Sequence, residues 1–256
     1  MAPFSAFEIS IIVASEMIHM SIHGHIIAMG GGGFSMEPDN PQMDQYVLRH
    51  ARNDRPRVLF LCPGGDETSY AYKFFAAFSK FNCRPAHLSL FRPSMADLEE
   101  LLLSQDVIYV GGGNTRSMLA LWREWSLDRY LRRAWEAGAV LAGLSAGAIC
   151  WFEQGLTDSV PGQLSPLACL GLLQGSCVPH YDGEPRRRPA YHRLIGEGRM
   201  KAGYAIDDGA ALHFHGTELV AVIASQEGKR CHRVALEATE VREHALPTSQ
   251  LPTDQG

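Results

Sequence analysis

The sequence predicts an α/β fold, a three-layer sandwich around a mostly parallel central sheet. Three observations predict it. Short apolar runs of strand length recur along the chain, each ends in glycine or proline, and helical spacing follows. Their intervals suit βα units, whose crossovers cover both faces of a parallel sheet. The chain has 256 residues, 46% of them hydrophobic and 20% charged, which is enough for one sizeable core. One domain over 21–246 is therefore expected.

In order, His25-Ile26-Ile27-Ala28-Met29 is the first strand, and Gly30-Gly31-Gly32-Gly33 closes it. The glycines do not form a dinucleotide fingerprint, because Ser35 stands where the third glycine belongs. A structural turn or the wall of an active site fits them better. Helical spacing covers 41–52, with Pro41 suited to the first turn. The second strand, 57–62, ends in Pro63-Gly64-Gly65-Asp66, and a helix is expected over 68–81 with Tyr72, Phe75, Ala76 and Phe78 inward. A third strand over 87–91 and a helix over 96–104 follow. The fourth strand, 106–110, runs into Gly111-Gly112-Gly113-Asn114-Thr115, and helices over 117–124 and 127–137 lead to a fifth strand. Beyond residue 175 shorter strands at 203–206, 210–214, 219–224 and 232–236 suggest an antiparallel section, and the polar stretch 247–256 reads as a loose tail.

Bulk properties narrow the partners. A net charge of −5 with a pI near 6.1 argues against nucleic acid or an anionic membrane. The apolar stretch 9–18 is too short to span a bilayer and is interrupted by Ser10, Ser15 and Glu16. No Lys or Arg precedes Arg49, so a signal peptide is not expected, and residues 1–20 read as a disordered extension. Six cysteines without a CxxC pair read as reduced thiols of a cytoplasmic protein, not as a zinc site or disulfide framework. Among macromolecules, a second copy of the chain in a homodimer stays open as a partner. No cofactor and no metal are expected.

The fifth strand carries the chemistry. In Ala139-Val140-Leu141-Ala142-Gly143-Leu144-Ser145-Ala146-Gly147-Ala148-Ile149, an apolar strand meets Gly-x-Ser-x-Gly and a helical run. That is the pattern of a nucleophile elbow, which holds a serine out on a sharp strand-to-helix turn. Gly143 and Gly147 lack a Cβ, so strand and helix can approach closely. The Ala146 N–H then faces the place where an oxyanion develops.

A serine hydroxyl needs a base, and the base needs an orienting group. His180 in Val178-Pro179-His180-Tyr181-Asp182-Gly183 enters a glycine-bearing loop after a β-type segment, while His192, His213, His215 and His232 compete. Two carboxylates could orient it: Asp208 in Ile206-Asp207-Asp208-Gly209, and Asp158 in Leu156-Thr157-Asp158-Ser159. Both also suit ordinary turns.

Four motifs in this order, Val-Gly-Gly-Gly-Asn-Thr at 110–115, Gly-Leu-Ser-Ala-Gly-Ala at 143–148, Val-Pro-His at 178–180 and Ile-Asp-Asp-Gly at 206–209, resemble the peptidase E family over residues 24–240. These are serine peptidases of the dipeptidase E and cyanophycinase type on a class I glutamine amidotransferase-like fold. The resemblance implies a small peptide substrate, Ser145 as nucleophile, His180 as general base, and an oxyanion hole from the N–H groups of Gly113 and Ala146. It implies an acid at Asp208, with Asp158 as the alternative. Members that prefer an amino-terminal aspartyl residue need cationic or polar groups, for which Asn114, Arg188 and His192 are the candidates.

Other readings predict different things. An α/β-hydrolase esterase shares the elbow, but its histidine comes last in the chain, after the acid. Cys150 as an amidotransferase thiol lies one helical turn past the elbow. A catalytically silent binding module of the same fold would keep the architecture without a reactive serine.

Overall fold

A computed structural model of the chain describes residues 24–63, 67–93 and 95–252. The expectation for residues 1–20 lies outside the described residues. Five parallel strands form the centre: β1 (His25–Met29), β2 (Arg57–Leu61), β3 (Arg84–Leu88), β4 (Val107–Val110) and β5 (Val140–Leu144). β10 (Ala210–His215) adds antiparallel to β1, β11 (Glu218–Ala224) antiparallel to β10, and β14 (Ser249–Gln250) parallel to β11. The eight-stranded order is β14-β11-β10-β1-β5-β4-β2-β3.

Alternation along these strands divides the core. Ile27, Met29, Val58, Phe60, Tyr109 and Leu144 face one layer, with helices α1 (Gly33–Met36), α2 (Gln42–Arg49) and α3 (Glu67–Phe78). Ile26, Ala28, Leu59, Ile108 and Leu141 face the other, with α4 (Leu98–Leu103), α5 (Thr115–Glu124), α6 (Leu127–Glu136) and α7 (Ala146–Ile149). Trp122, Trp135 and Trp151 are fully buried on that second side. Side-chain caps start two of its helices: Asp97 accepts from the Glu100 N–H at 2.9 Å and Asn114 from the Ser117 N–H at 3.0 Å.

A second sheet was not expected in this form. It has six strands in the order β13-β12-β9-β8-β6-β7. They are β6 (Phe152–Val160), β7 (Gln163–Ala168), β8 (Leu173–Val178), β9 (Gly203–Ile206), β12 (Cys231–Glu237) and β13 (Glu240–Ala245). Phe152, Leu173, Cys177 and Cys231 pack into the core beside the tryptophans. On its other face α8 (Arg187–Gly196) contributes Tyr191, Leu194 and Ile195 to a third cluster with Val178, Tyr181 and Val234.

Three expectations need correction. The third strand is Arg84–Leu88 and not 87–91, because it pairs in register with β2 from Arg57↔Arg84 to Leu61↔Leu88. Pro85 is tolerated there because β3 is an edge. In α3 the buried positions are Ala71, Phe74 and Phe78, whose spacing sets Phe74 on Phe60, while Tyr72 is 75% exposed. The helical run expected after Ser145 is present and lasts one turn before β6 begins. The tail is not loose up to residue 252: β14 covers the edge of β11, and Leu251 is buried with its N–H on the Ala224 carbonyl at 2.8 Å.

Candidate active site

The elbow forms as its glycines require. A Cβ on Gly143 would lie 2.5 Å from the Gly147 oxygen, and one on Gly147 would lie 2.2 Å from the Val110 oxygen. Any side chain at either position would push the helix off the sheet. Ser145 takes φ 56° and ψ −112°, a strained backbone conformation for a residue other than glycine. It persists because the turn is tied on both sides. The Ser145 N–H donates to the Met29 carbonyl at 3.1 Å, and the Ser145 carbonyl accepts from Ala148 and Ile149 at 3.0 and 3.1 Å.

Loop 111–113 lies against the serine. A Cβ on Gly112 would come 3.2 Å from Ser145 Cβ and 3.7 Å from its Oγ. The Gly111 N–H donates to the Leu61 carbonyl at 3.1 Å, and the Gly112 N–H to the Tyr70 phenol oxygen at 2.9 Å. Neither the Gly113 nor the Ala146 N–H has an acceptor among the described residues. Both are free to meet a developing oxyanion.

His180 follows β8 and also has a positive φ, 52°. Its Nδ1 lies 2.6 Å from Asp208 Oδ1, with the two side chains only 12% and 24% exposed. The link back to Ser145 runs through β1. Met29 pairs with Leu144, Gly31 bridges Asp208, and the Gly209 N–H donates to the Gly31 carbonyl at 3.1 Å. The carboxylate fits because two glycines flank it. A Cβ on Gly31 would lie 2.1 Å from Oδ1, and one on Gly183 would lie 2.2 Å from Oδ2. Asp182 steadies the turn by accepting the Asp208 N–H at 2.9 Å and pairing with Lys229. Burial opposes ionisation of Asp182, but these two donors outweigh it and hold its pKa below the ordinary value. Neighbouring Asp207 is raised to about 6, by burial first and the Asp182 charge second.

Asp208, and not Asp158, meets the imidazole. Asp158 is exposed on β6, with Arg187 as its ion partner at 3.7 Å. The three candidate substrate residues are engaged elsewhere. Asn114 caps α5 and donates to the Ser159 carbonyl at 3.0 Å. Arg188 pairs with Glu243 and stacks 5.3 Å over the Tyr181 ring. His192 Nε2 lies 2.9 Å from Glu243 and 3.0 Å from the Tyr181 hydroxyl. Among the competing histidines, His213 belongs to a group with His25, His50 and Tyr46. Cys150 is fully buried, and burial pushes its thiol well above the ordinary value, so it offers no thiolate. Among the described residues no group of three or more His, Cys, Asp or Glu is placed to hold a metal ion.

Sequence reasoning missed Tyr70, Asp182 and the paired role of Gly31 and Gly183. The signal for the glycines was their position beside the acid and base motifs. Tyr70 had no local signal.

Comparison with known proteins gives the family and the fold. The sequence model of peptidase family S51 matches residues 26–222. The uncharacterized peptidase YgaJ of Bacillus subtilis (strain 168) is 54% identical over 227 residues, 88% of this chain and 98% of that protein. The uncharacterized peptidase Lmo0363 of Listeria monocytogenes serovar 1/2a (strain ATCC BAA-679 / EGD-e) is 26% identical over 140 residues, 52% of this chain and 68% of that protein. The crystal structure of a peptidase from an acI-B1 actinobacterium superposes with a TM-score of 0.66 at 17% identity, covering 90% of this chain and 98% of that one. At that identity it shows a shared fold.

Proposed function

The chain belongs to peptidase family S51 and is a serine peptidase, and on that footing we propose that it hydrolyses small peptides through an acyl-enzyme on Ser145. In this proposal His180 takes the hydroxyl proton as Ser145 Oγ attacks the scissile carbonyl, then returns it to the leaving amine. Asp208 fixes the imidazole tautomer and stabilises the imidazolium. The Gly113 and Ala146 N–H groups bind the oxyanion of both tetrahedral intermediates. Water, deprotonated by His180, releases the acyl group and restores the serine.

The observation that carries the proposal is the 2.6 Å contact between His180 Nδ1 and Asp208, in a chain whose Ser145 is held at positive φ on its own turn. An esterase of the α/β-hydrolase type is disfavoured, since the base here precedes the acid in the chain. The finer expectation of an aspartyl preference calls for a cation open to the substrate. Arg187 and Arg188 beside His180 are matched by Glu184 and Glu243, and Arg186 donates to the Gly162 carbonyl at 3.1 Å. The proposed substrates are therefore short peptides without restriction to an acidic first residue. All six cysteines are free thiols, in keeping with a cytoplasmic setting, and no helix of the described residues is long and apolar enough to cross a membrane.

A fluorophosphonate probe tests the reaction. Stoichiometric labelling of Ser145, absent in Ser145→Ala, is expected; an unlabelled native protein would identify a silent binding module instead. A panel of dipeptides with Asp, Glu, Gly or Leu first tests the substrate class, and cleavage confined to Asp-X would overturn the broad preference.

A further inference from the structure

We infer that Tyr70 is a positioning residue for the oxyanion hole: by accepting the Gly112 N–H, its phenol oxygen turns the next N–H of the loop, that of Gly113, toward the reacting carbonyl. The inference rests on the proposed role of Ser145 and goes beyond it to a residue on a different helix.

A loop of three glycines has no side chains to hold it, and glycine has the widest choice of backbone conformations. An oxyanion hole, in contrast, acts only when its donors are already aimed. Something outside the loop must therefore select one orientation. Leu61 holds Gly111 at the start and the cap of α5 holds Asn114 at the end, which leaves the Gly112 and Gly113 peptides between them. The Tyr70 oxygen is the acceptor that meets the Gly112 N–H, at 2.9 Å. With that N–H directed at the tyrosine, the Gly112 Cα stays against the serine. The Gly113 N–H keeps no acceptor among the described residues.

The acceptor is itself fixed. The Tyr70 ring packs 5.1 Å from Phe60 and 5.7 Å from Phe34, centroid to centroid. Gly111 makes room for it, since a Cβ there would lie 2.7 Å from the ring edge and 3.0 Å from the hydroxyl. Burial raises the phenol's pKa, so it stays neutral and keeps a lone pair for the Gly112 N–H. The early Gly-Gly-Gly-Gly-Phe-Ser stretch thereby gains a purpose: its Phe34 packs against the tyrosine that holds the loop.

Tyr70→Phe removes only the oxygen. The expected result is a folded protein whose kcat and rate of fluorophosphonate labelling at Ser145 both fall about ten- to a hundredfold. KM and the midpoint of the pH profile should stay at their native values, because neither the substrate contacts nor the His180–Asp208 pair is touched. Gly111→Ala puts a Cβ 2.7 Å from the tyrosine ring edge, displaces the phenol from Gly112 and should lower the same two rates about tenfold. If Tyr70→Phe fails to fold, Gly111→Ala decides alone, and a native labelling rate there overturns the inference. A native labelling rate in folded Tyr70→Phe, with Ser145→Ala unlabelled, also overturns it while leaving the peptidase proposal standing. Absence of labelling in the native protein removes both.

Discussion

Replacing Gly183 with alanine should separate Asp208 from His180 without altering either side chain. The new Cβ would lie 2.2 Å from Asp208 Oδ2. A comfortable carbon–oxygen contact is about 1 Å longer, so the carboxylate must move by roughly that much. It has little freedom to do so. Its backbone N–H is held by Asp182, and Gly31 closes the other side with its Cα hydrogens aimed at Oδ1. A shift of about 1 Å stretches the 2.6 Å bond to about 3.6 Å, which is no longer a hydrogen bond. His180 then loses the group that sets its tautomer. A fall in kcat/KM of about 10²-fold is expected, bounded by the ~10⁴-fold loss that removing such an orienter can cause. Gly183 is exposed and has no positive φ, so alanine adds no backbone strain and the melting temperature should hold. Steady-state hydrolysis of a cleaved dipeptide, with the Ser145 labelling rate beside it, measures the effect. The Gly183→Ala/Asp208→Asn double variant should be no slower than Asp208→Asn alone, since both act through one bond. Activity within threefold of native in Gly183→Ala, or losses that multiply in the double variant, would refute the reasoning.

Three further outcomes test the acid, the elbow and the histidine group. Asp208→Asn should lose about 10³- to 10⁴-fold in kcat while Asp158→Asn stays within about twofold; the reverse ranking in a steady-state assay would reassign the acid. Ser145→Gly relieves a φ of 56° and should raise stability by about 1–2 kcal/mol, roughly 3 °C or more in melting temperature, while abolishing turnover; an unchanged or lower melting temperature would mean that the elbow stores no strain. The third concerns acid. Burial, then the charges of His50, His25 and His215, lower the pKa of His213 to about 3. The unfolded chain therefore binds this proton below its ordinary 6.5 and the folded chain does not, so the histidine's contribution is complete above pH 6.5 and is lost as the pH falls toward 3. Between pH 6.5 and 4.5 that is at most ~2.7 kcal/mol, and about 1–2 kcal/mol after solvent screening. Urea unfolding at the two pH values should show this slope and His213→Gln should flatten it; a slope indifferent to the substitution would count against the histidine group.

The elbow was legible in the sequence because everything that makes it is local. Strand, two glycines and serine lie within a few residues of one another, and the close approaches at Gly143 and Gly147 are what those glycines imply. His180 and Asp208 were legible only as candidates, because their meeting depends on which sheet each strand joins. The candidates Arg188 and His192 misled for the same reason. Their partner Glu243 lies 55 and 51 residues further along, on a hairpin whose position no local pattern gives. Strands β6 and β7 escaped because their burial is irregular: Phe152–Val160 mixes buried, half-buried and exposed positions without period-2 alternation, and Gln163–Ala168 is half-buried throughout its middle. Tyr70 was hidden by a helix reading that placed the wrong residues inward, since aromatic residues at 70, 72, 74, 75 and 78 permit more than one apolar stripe.

The site sits where the two sheets meet. Ser145 ends a strand of the main sheet, and His180 follows a strand of the second. Asp208 lies at the crossing, between β9 in the second sheet and β10 in the main one. That crossing is tied by the Gly31–Asp208 bridge and the Gly209 N–H on Gly31. Two of the three residues also have a positive φ, which surrounding structure must over-determine if it is to persist. The Tyr181 N–H on the Ile206 carbonyl at 3.1 Å, the Glu184 N–H on the His180 carbonyl at 3.0 Å and the Asp208 contact do this for His180, and the elbow's contacts with β1 and β4 do it for Ser145. Registry between the sheets is therefore a condition of the geometry that the proposed hydrolysis needs. The residues that keep that registry, Gly31 and Asp208 with Gly209, belong to the proposed site as much as the serine does.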